Sequence, residues 1–164
     1  MKAWAGLAAL LCCSPLYAEI SVPGTVTSAD GKTVYDIIDA GGAQQDESGD
    51  HTTIVARDVA SGTQQVLVAP QPADDPKQNL TGFSGLVLSP DNKTLYFHAE
   101  GWATSTAIHA VDHTTHLQRF VSDGTLLCTV ASGDYKSDLL VQQHRDSAGV
   151  GGAYDYYYVY KPSG

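Results

Sequence analysis

The amino-acid sequence predicts an all-β protein built from consecutive antiparallel four-stranded meanders. The main observation is that short apolar runs alternate with polar residues at a period of two, which is the period of a half-buried strand. Turn-forming residues separate these runs, and no segment longer than a turn has the period of a helix. In addition, a segment near residue 28 recurs near residue 89, which indicates a structural repeat.

The first predicted unit covers about residues 25–69. Its strands are predicted at residues 25–27, 33–38, 53–59 and 64–69. Asp30-Gly31 lies between the first two strands and favours a tight turn, because glycine adopts a positive φ without a Cβ clash. Residues 41–50 are small, polar and acidic and predict a long exposed loop. Residues 70–82 contain three prolines and predict a linker without a central strand.

The second predicted unit covers about residues 83–123, and four strands are expected within Gly85–Asp123. Residues 28–35 align with residues 89–96 at an offset of 61. In this alignment Asn92 replaces Gly31, and asparagine is the residue that best tolerates left-handed turn geometry after glycine.

A second alignment supports the same repeat further along the chain. It places residues 59–62 on residues 112–115 at an offset of 53. The two offsets differ by eight residues, and this difference is assigned to the longer loop of the first unit. The repeat therefore predicts that the two units share both of these hairpin turns.

The third predicted unit covers about residues 125–160 and is incomplete. It begins at Thr125, and further strands are expected at residues 138–144 and 153–160. Residues 162–164 resemble the next turn. The prediction is therefore two full units and one partial unit, with bare sheet edges that would pair with other chains unless they were covered.

The run Ser89-Pro90-Asp91-Asn92-Lys93-Thr94-Leu95-Tyr96-Phe97 resembles a known blade signature, Ser-Pro-Asp-Gly-Lys-x-Leu-x-Phe. That signature is typical of TolB-like β-propellers and of the propeller domains of prolyl-oligopeptidase-type enzymes. Residues 140–145 and 151–156 are also similar to the tails of uncharacterised secreted proteobacterial proteins. The resemblance implies β-propeller-like blades in an incomplete or oligomer-completed propeller. It implies no shared catalytic set, because propellers are scaffolds on which chemistry is grafted.

The N-terminal residues have the layout of a secretory signal peptide. Lys2 precedes an apolar run, Ser14-Pro15 ends it, and a small residue, Ala18, precedes the expected cleavage point. The run is too short for a membrane anchor. Lipidation at Cys12 is the less favoured alternative, because Leu11 precedes that cysteine. We therefore predict a signal peptide over residues 1–18, a single domain over residues 19–164, and a periplasmic or secreted protein.

The charge of the chain excludes several classes of partner. The full sequence has a formal net charge of −9. Loss of residues 1–18 would remove only Lys2 and leave eight Lys and Arg residues against eighteen Asp and Glu residues, a net charge of −10. Such a chain would repel both nucleic-acid phosphates and anionic lipid surfaces. Cys128 would be the one remaining cysteine, and its apolar neighbours predict a buried, inert thiol.

The sequence predicts no catalytic site, metal site or cofactor. The histidines at positions 109, 113 and 116 are interpreted as surface residues rather than metal ligands. On a strand, positions 109 and 113 would lie about 13 Å apart, too far for one ion, and positions 113 and 116 flank a hairpin turn. The acidic loop that contains Asp46, Glu47, Asp50 and His51 lacks the spacing of a calcium loop. Gly82-Phe83-Ser84-Gly85 falls one residue short of a Gly-x-Ser-x-Gly motif.

Aromatic residues are the candidates for ligand binding. Strand alternation places the tyrosines at 154, 156, 158 and 160 on one face and Tyr157 and Val159 on the other. We name Tyr154, Tyr156 and Tyr158 as candidates, with packing in a core between sheets as the alternative. Trp102, expected in a loop, is the fourth candidate, with capping of the blade as its alternative.

Three hypotheses about function follow. The first is an exported, non-enzymatic β-propeller-like module that binds a protein or peptide. The second is a hydrolase whose site forms only on assembly. The third is a structural protein that associates with itself, as a homo-oligomer joined through exposed sheet edges.

Overall fold

A computed structural model describes residues 24–39, 52–146, 149 and 151–162 of the chain. These residues form eleven strands and, over the same ranges, no helix. The strands are β1 (Thr25–Thr27), β2 (Thr33–Asp39), β3 (Thr52–Asp58), β4 (Gln64–Val68), β5 (Ser84–Leu88), β6 (Thr94–Trp102), β7 (Ser105–Asp112), β8 (Gln118–Asp123), β9 (Thr125–Thr129), β10 (Leu139–Asp146) and β11 (Ala153–Tyr160).

The strands form three antiparallel sheets in chain order. The first sheet has the order β1-β2-β3-β4, the second β5-β6-β7-β8, and the third β9-β10-β11. The prediction of an all-β protein with two four-stranded meanders and one partial unit is therefore confirmed. The signal peptide predicted over residues 1–18 and the loop predicted over residues 41–50 lie outside the described residues. Within the described ranges, no helix is long and apolar enough to cross a membrane.

The first hairpin turn is built identically in sheets one and two. The Ser28 hydroxyl donates to Asp30 at 2.7 Å, and the Ser89 hydroxyl donates to Asp91 at 2.6 Å. In both turns the same serine oxygen also accepts the backbone N–H that opens the next strand, at 2.9 Å. These bonds connect residues two to five positions apart, so each turn is specified by its own short sequence.

The substitution of Asn92 for Gly31 preserves the turn. Gly31 has a φ of 71° and Asn92 a φ of 59°, so both occupy the left-handed region. Asn92 has a further role, because its side-chain oxygen accepts the backbone N–H of Ala29 at 3.0 Å. The asparagine therefore connects the second sheet to the first as well as closing its own turn.

The second turn repeats with a register different from the prediction. The Asp58 carboxylate accepts the backbone N–H of Ser61 at 2.7 Å, and the Asp112 carboxylate accepts that of Thr115 at the same distance. These equivalences correspond to an offset of 54, so the predicted offset of 53 is wrong by one residue. The first unit is then longer by seven residues rather than eight. Asp58 and Asp112 close the two turns, and the predicted alignment placed Val59 instead of Asp58 on Asp112.

Two apolar clusters hold the three sheets face to face. The first cluster lies between sheets one and two and includes Tyr35, Ile54 and Phe97. The second lies between sheets two and three and includes Ile108, Leu126 and Val141. The first strands of the sheets also contact one another, β1 with β5 and β5 with β9. This arrangement, with first strands grouped together and sheets stacked by their faces, is propeller-like.

A buried histidine joins the second and third sheets. His98 on β6 is only 5% exposed, and its Nε2 atom accepts the backbone N–H of Leu126 at 2.8 Å. Burial lowers the pKa of His98 to about 4. The ring is therefore neutral near pH 7, which leaves the Nε2 lone pair available as an acceptor.

Residues 70–82 form a folded loop rather than a simple linker. Gln71 and Leu80 exchange two backbone hydrogen bonds of 2.8 and 2.9 Å. Asn79 is buried, donates to the carbonyl oxygen of Glu100 at 3.1 Å and accepts from Thr81 at 3.1 Å. Its side chain is therefore occupied in connecting the loop to the second sheet.

Asn79→Ala is expected to lower the free energy of unfolding by about 1–3 kcal/mol, because it leaves buried polar groups without partners. Gln78→Ala, one residue earlier in the same loop but exposed, should cost less than about 0.5 kcal/mol. Urea unfolding of the two variants measures the difference. Equal, small losses would show that the Asn79 hydrogen bonds do not stabilise the loop.

Candidate functional site

Strand β11 is the outer edge of the third sheet. It pairs antiparallel with β10 along its whole length, from Leu139 opposite Tyr160 to Asp146 opposite Ala153. Among the described residues, no strand lies on its other side. Alternate backbone N–H and C=O groups of β11 therefore point away from the sheet, where they can pair with another extended chain.

Length and exposure separate β11 from the outer strands of the other two sheets, although β4 likewise contains no proline and no charged residue. β4 has five residues and β8 six, whereas β11 has eight, of which seven are exposed. β8 carries Arg119 and Asp123, charges of the kind that discourage edge pairing. β11 contains no proline and no lysine, and Asp155 is its one charged residue. The strand therefore lacks the usual protection of an exposed edge.

The predicted tyrosine face is present and mostly exposed. Tyr154 is 48% exposed, and Tyr156 and Tyr158 are each 39% exposed. The ring of Tyr158 lies 6.4 Å from that of Tyr156 and 6.2 Å from that of Tyr160. Tyr160 alone packs against the apolar cluster between sheets two and three. We call Tyr154, Tyr156 and Tyr158 the tyrosine strip; the alternative of core packing describes Tyr160 instead.

The opposite face of β11 is also accessible. Tyr157 is 62% exposed and Val159 is 51% exposed. Val159 lies directly opposite Leu140 of β10, which is half-buried. Both faces of the edge strand therefore offer apolar area to a partner.

Polar contacts on the same face as the tyrosine strip connect the third sheet to the second. Gln143, which pairs with Tyr156 and is only 3% exposed, donates to the Tyr160 hydroxyl at 3.1 Å and to the backbone oxygen of Asp123 at 2.8 Å. Arg145 lies 2.6 Å from the Asp123 carboxylate, and this contact lowers the pKa of Asp123. These bonds connect β10 to β8, so the edge strand is held on a supported sheet.

Trp102 lies apart from the tyrosines. It ends β6 instead of occupying a loop, and it pairs with Ser105 across a two-residue turn. Its ring packs edge-to-face on Phe120 at 6.3 Å, and Lys77 lies 5.8 Å from the centre of that same Phe120 ring. Phe120 belongs to a cross-strand row on the face of the second sheet that packs against the first. The four predicted binding residues therefore occupy two separate places.

A histidine–carboxylate pair was missed by the sequence analysis. His144 and Asp155 lie opposite each other on β10 and β11, and His144 Nδ1 is 2.9 Å from Asp155 Oδ1. The hydrogen bond from His144 lowers the pKa of Asp155. Finding this pair from sequence requires the register of the β10–β11 hairpin. Strand alternation does not supply that register.

The pair lies on a polar cleft between the second and third sheets. The cleft has a volume of about 310 Å³, and hydroxyl, amide, imidazole and carboxylate groups line it. Its lining residues are Thr104, Ser105, Gly124, Thr125, Gln142, His144 and Asp155. Because Nδ1 faces Asp155, Nε2 of His144 can accept a proton.

The histidines at positions 109, 113 and 116 are not grouped on the surface. His109, predicted at the surface, is 2% exposed and lies between the Phe97 ring at 5.6 Å and the Phe120 ring at 5.7 Å. That prediction is wrong, because cross-strand neighbours bury the ring. His113 is half-buried, and its Nδ1 lies 3.1 Å from the Tyr35 hydroxyl. His116, in the next turn, is also half-buried.

Two further expectations concern metal and thiol chemistry. No group of three or more metal-ligating side chains occurs in the part of the chain that the structure describes. The acidic loop with Asp46, Glu47, Asp50 and His51 lies outside that part. Cys128, predicted to be buried, is half-buried on β9.

Comparisons with known proteins yield only distant similarity, to solved structures. No protein-family model matches the chain, and no curated protein matches it. A crystal structure of a Bacteroides fragilis protein assigned as a 6-phosphogluconolactonase is similar, with a TM-score of 0.38 and 22% sequence identity. The match covers 84% of this chain, which spans 39% of the length of that protein. The resemblance to TolB-like propellers therefore remains a prediction from the blade signature.

Proposed function

We propose that the chain is an exported, non-enzymatic binding module, and that its ligand is an extended segment of a protein or peptide. The single observation that carries this proposal is β11, an exposed eight-residue edge strand with one charge and three exposed tyrosines on one face. The segment adds to the third sheet as a further strand. Main-chain hydrogen bonds hold it, and side-chain contacts select it.

The chemistry of β11 indicates what such a segment would contain. Tyrosine rings offer apolar area at low conformational cost, and their hydroxyl groups accept hydrogen bonds at the rim. Arginine or lysine side chains stack on such rings. Because the protein carries a net charge of −9, a basic segment is attracted and an acidic one repelled. We expect segments that alternate basic or aromatic residues with small residues.

The test is selection of displayed random peptides on the immobilised chain, followed by affinity measurement. Replacing Tyr156 and Tyr158 together with serine should weaken the selected peptides roughly 10-fold, because two cross-strand ring contacts are lost. Backbone amides of residues 153–160 should gain protection from hydrogen exchange when the peptide binds.

Tyr135→Ser is the matched control, because Tyr135 is 61% exposed but lies in the turn before β10. It should leave peptide affinity unchanged. Peptide binding that is unaffected by the double serine variant, or that protects another surface, would reject β11 as the site.

A hydrolase is the second candidate function. The observation that favours it is the His144–Asp155 pair on a cleft that also contains the Ser105 and Thr125 hydroxyls. In such an arrangement His144 acts as a general base and Asp155 orients it. The test is a broad screen of ester, lactone and peptide substrates, with and without chelator. Turnover that His144→Ala abolishes supports hydrolysis, whereas turnover of no substrate by the parent chain counts against it.

A further inference from the structure

We infer that the extended segment is strand β11 of a second copy of this chain, paired antiparallel about a two-fold axis at Tyr157. The inference rests on the proposed function, because it requires that β11 accept a strand. It adds the identity of the partner and the register of pairing.

The chain limits the part of β11 that can pair. Gly152 has a φ of 90°, which ends the extended conformation before Ala153. Pro162 has no backbone N–H and cannot continue a ladder beyond Lys161. Pairing is therefore confined to Ala153–Lys161, and Tyr157 is the central residue of this window.

Symmetry restricts the register further. A two-fold axis perpendicular to the sheet keeps each face on its own side, so a residue can lie opposite only a residue of the same face. Centring on Tyr157 satisfies this condition and uses the whole window. It places Tyr154 opposite the partner's Tyr160 and Tyr156 opposite the partner's Tyr158. The run Tyr-Asp-Tyr-Tyr-Tyr-Val-Tyr reads almost the same in both directions, so every tyrosine meets a tyrosine.

This register also places no two like charges opposite each other. The window contains two charged residues, Asp155 and Lys161. Asp155 lies opposite the partner's Val159, and Lys161 lies opposite the partner's Ala153. Asp155 is in addition bonded to His144 of its own chain. Like charges opposite each other would oppose pairing, and this register has none.

The product is a continuous six-stranded sheet with the two tyrosine strips side by side on one face. Aromatic cross-strand pairs stabilise such a junction. The copies repel each other through their net negative charge, and salt screens that repulsion. Dimerisation should therefore become stronger as salt concentration rises. A basic peptide on the same edge would instead bind more weakly as the salt concentration rises.

The experiment measures the mass of the full chain by light scattering and sedimentation at up to about 100 µM. The parent chain should form a dimer. Tyr157→Lys should weaken dimerisation roughly 10-fold or more, because it sets two like charges opposite each other at the axis. Mixing Tyr157→Lys with Tyr157→Glu should restore a dimer that contains one copy of each.

A matched pair of variants tests the register. Tyr154→Lys should weaken dimerisation less than Tyr157→Lys, and its mixture with Tyr154→Glu should dimerise no better than either variant alone, because the two copies of position 154 lie roughly 20 Å apart in this register. Tyr135→Lys controls for added charge and should dimerise like the parent, with an unchanged thermal midpoint. Stronger dimerisation of the position-154 mixture than of either variant alone, or a dimer insensitive to Tyr157→Lys, would overturn the inference.

A monomeric parent chain at high salt would also overturn it. If that monomer still binds selected peptides along β11, the proposed function stands and only the second copy is rejected. If it binds none, both are rejected.

Discussion

Gly124→Ala is expected to lower the free energy of unfolding by about 3 kcal/mol or more, which is a large part of the stability of a small domain. Gly124 connects β8 to β9 with a φ of 118°, a conformation that residues with a Cβ rarely adopt. A Cβ atom at this position would lie 2.4 Å from the carbonyl oxygen of Gln142. That oxygen belongs to the backbone of β10, so it can move only if the third sheet moves.

The measurement is urea unfolding, compared with Gly133→Ala. Gly133 also has a positive φ, 84°, but no atom lies within 4 Å of its added Cβ. Its substitution reports backbone strain alone, about 1–2 kcal/mol. The difference between the two losses isolates the close approach of β9 and β10. Equal losses would show that the third sheet moves to accept the methyl group without cost.

Stability is expected to fall as the pH falls from about 6.5 towards 4, because two buried histidines resist protonation. Burial lowers the pKa of both His98 and His109 to about 4, against 6.5 for an exposed imidazole. Between these two pKa values the unfolded chain binds more protons than the folded chain, so lowering the pH favours unfolding. Each histidine lowers the free energy of unfolding by up to about 1.4 kcal/mol for each pH unit of acidification. This loss ends once the histidine is also protonated in the folded chain.

The two rings resist protonation for different structural reasons. His98 Nε2 accepts the Leu126 N–H, and a proton on this atom would destroy a bond between sheets two and three. His109 lies between aromatic rings, and no protein group in the described residues bonds its buried Nε2. A charge there would have no compensation.

Variants separate these contributions. His98→Gln keeps an oxygen that can accept from Leu126, and His109→Phe preserves the row of rings, so both should remain folded at pH 7. Urea unfolding at pH 7, 6 and 5 should show a smaller loss of stability in each variant than in the parent. The double variant should show the smallest loss. If its pH dependence matched that of the parent, other groups would be responsible.

Local sequence was sufficient to predict the strands and most turns. The Ser28–Asp30 and Ser89–Asp91 bonds connect near neighbours, so each turn folds from its own residues. Strand alternation likewise predicted which tyrosines share a face. The one-residue error in the second turn came from aligning residues around Val59 without the closing aspartate.

Long-range pairing decided what the sequence left open. The burial of His109 depends on Phe97 and Phe120, which come from two other strands. The His144–Asp155 pair depends on the register of the β10–β11 hairpin, which strand alternation does not supply. Trp102 is separated from the tyrosines because it packs on Phe120, on the face of the second sheet that faces the first sheet, whereas the third sheet packs against the opposite face.

By itself, the sequence determined an all-β repeat with two full meanders and one partial one, because strand period and turn chemistry act over a few residues. Only the tertiary structure decided which side chains are buried, which polar groups meet and which strand is left at an open edge. Those properties depend on contacts between residues tens of positions apart. Four of the five tyrosines of β11 illustrate the division: alternation assigned Tyr154, Tyr156, Tyr158 and Tyr160 to one face, and the packing of the sheets left the first three exposed and Tyr160 more deeply buried.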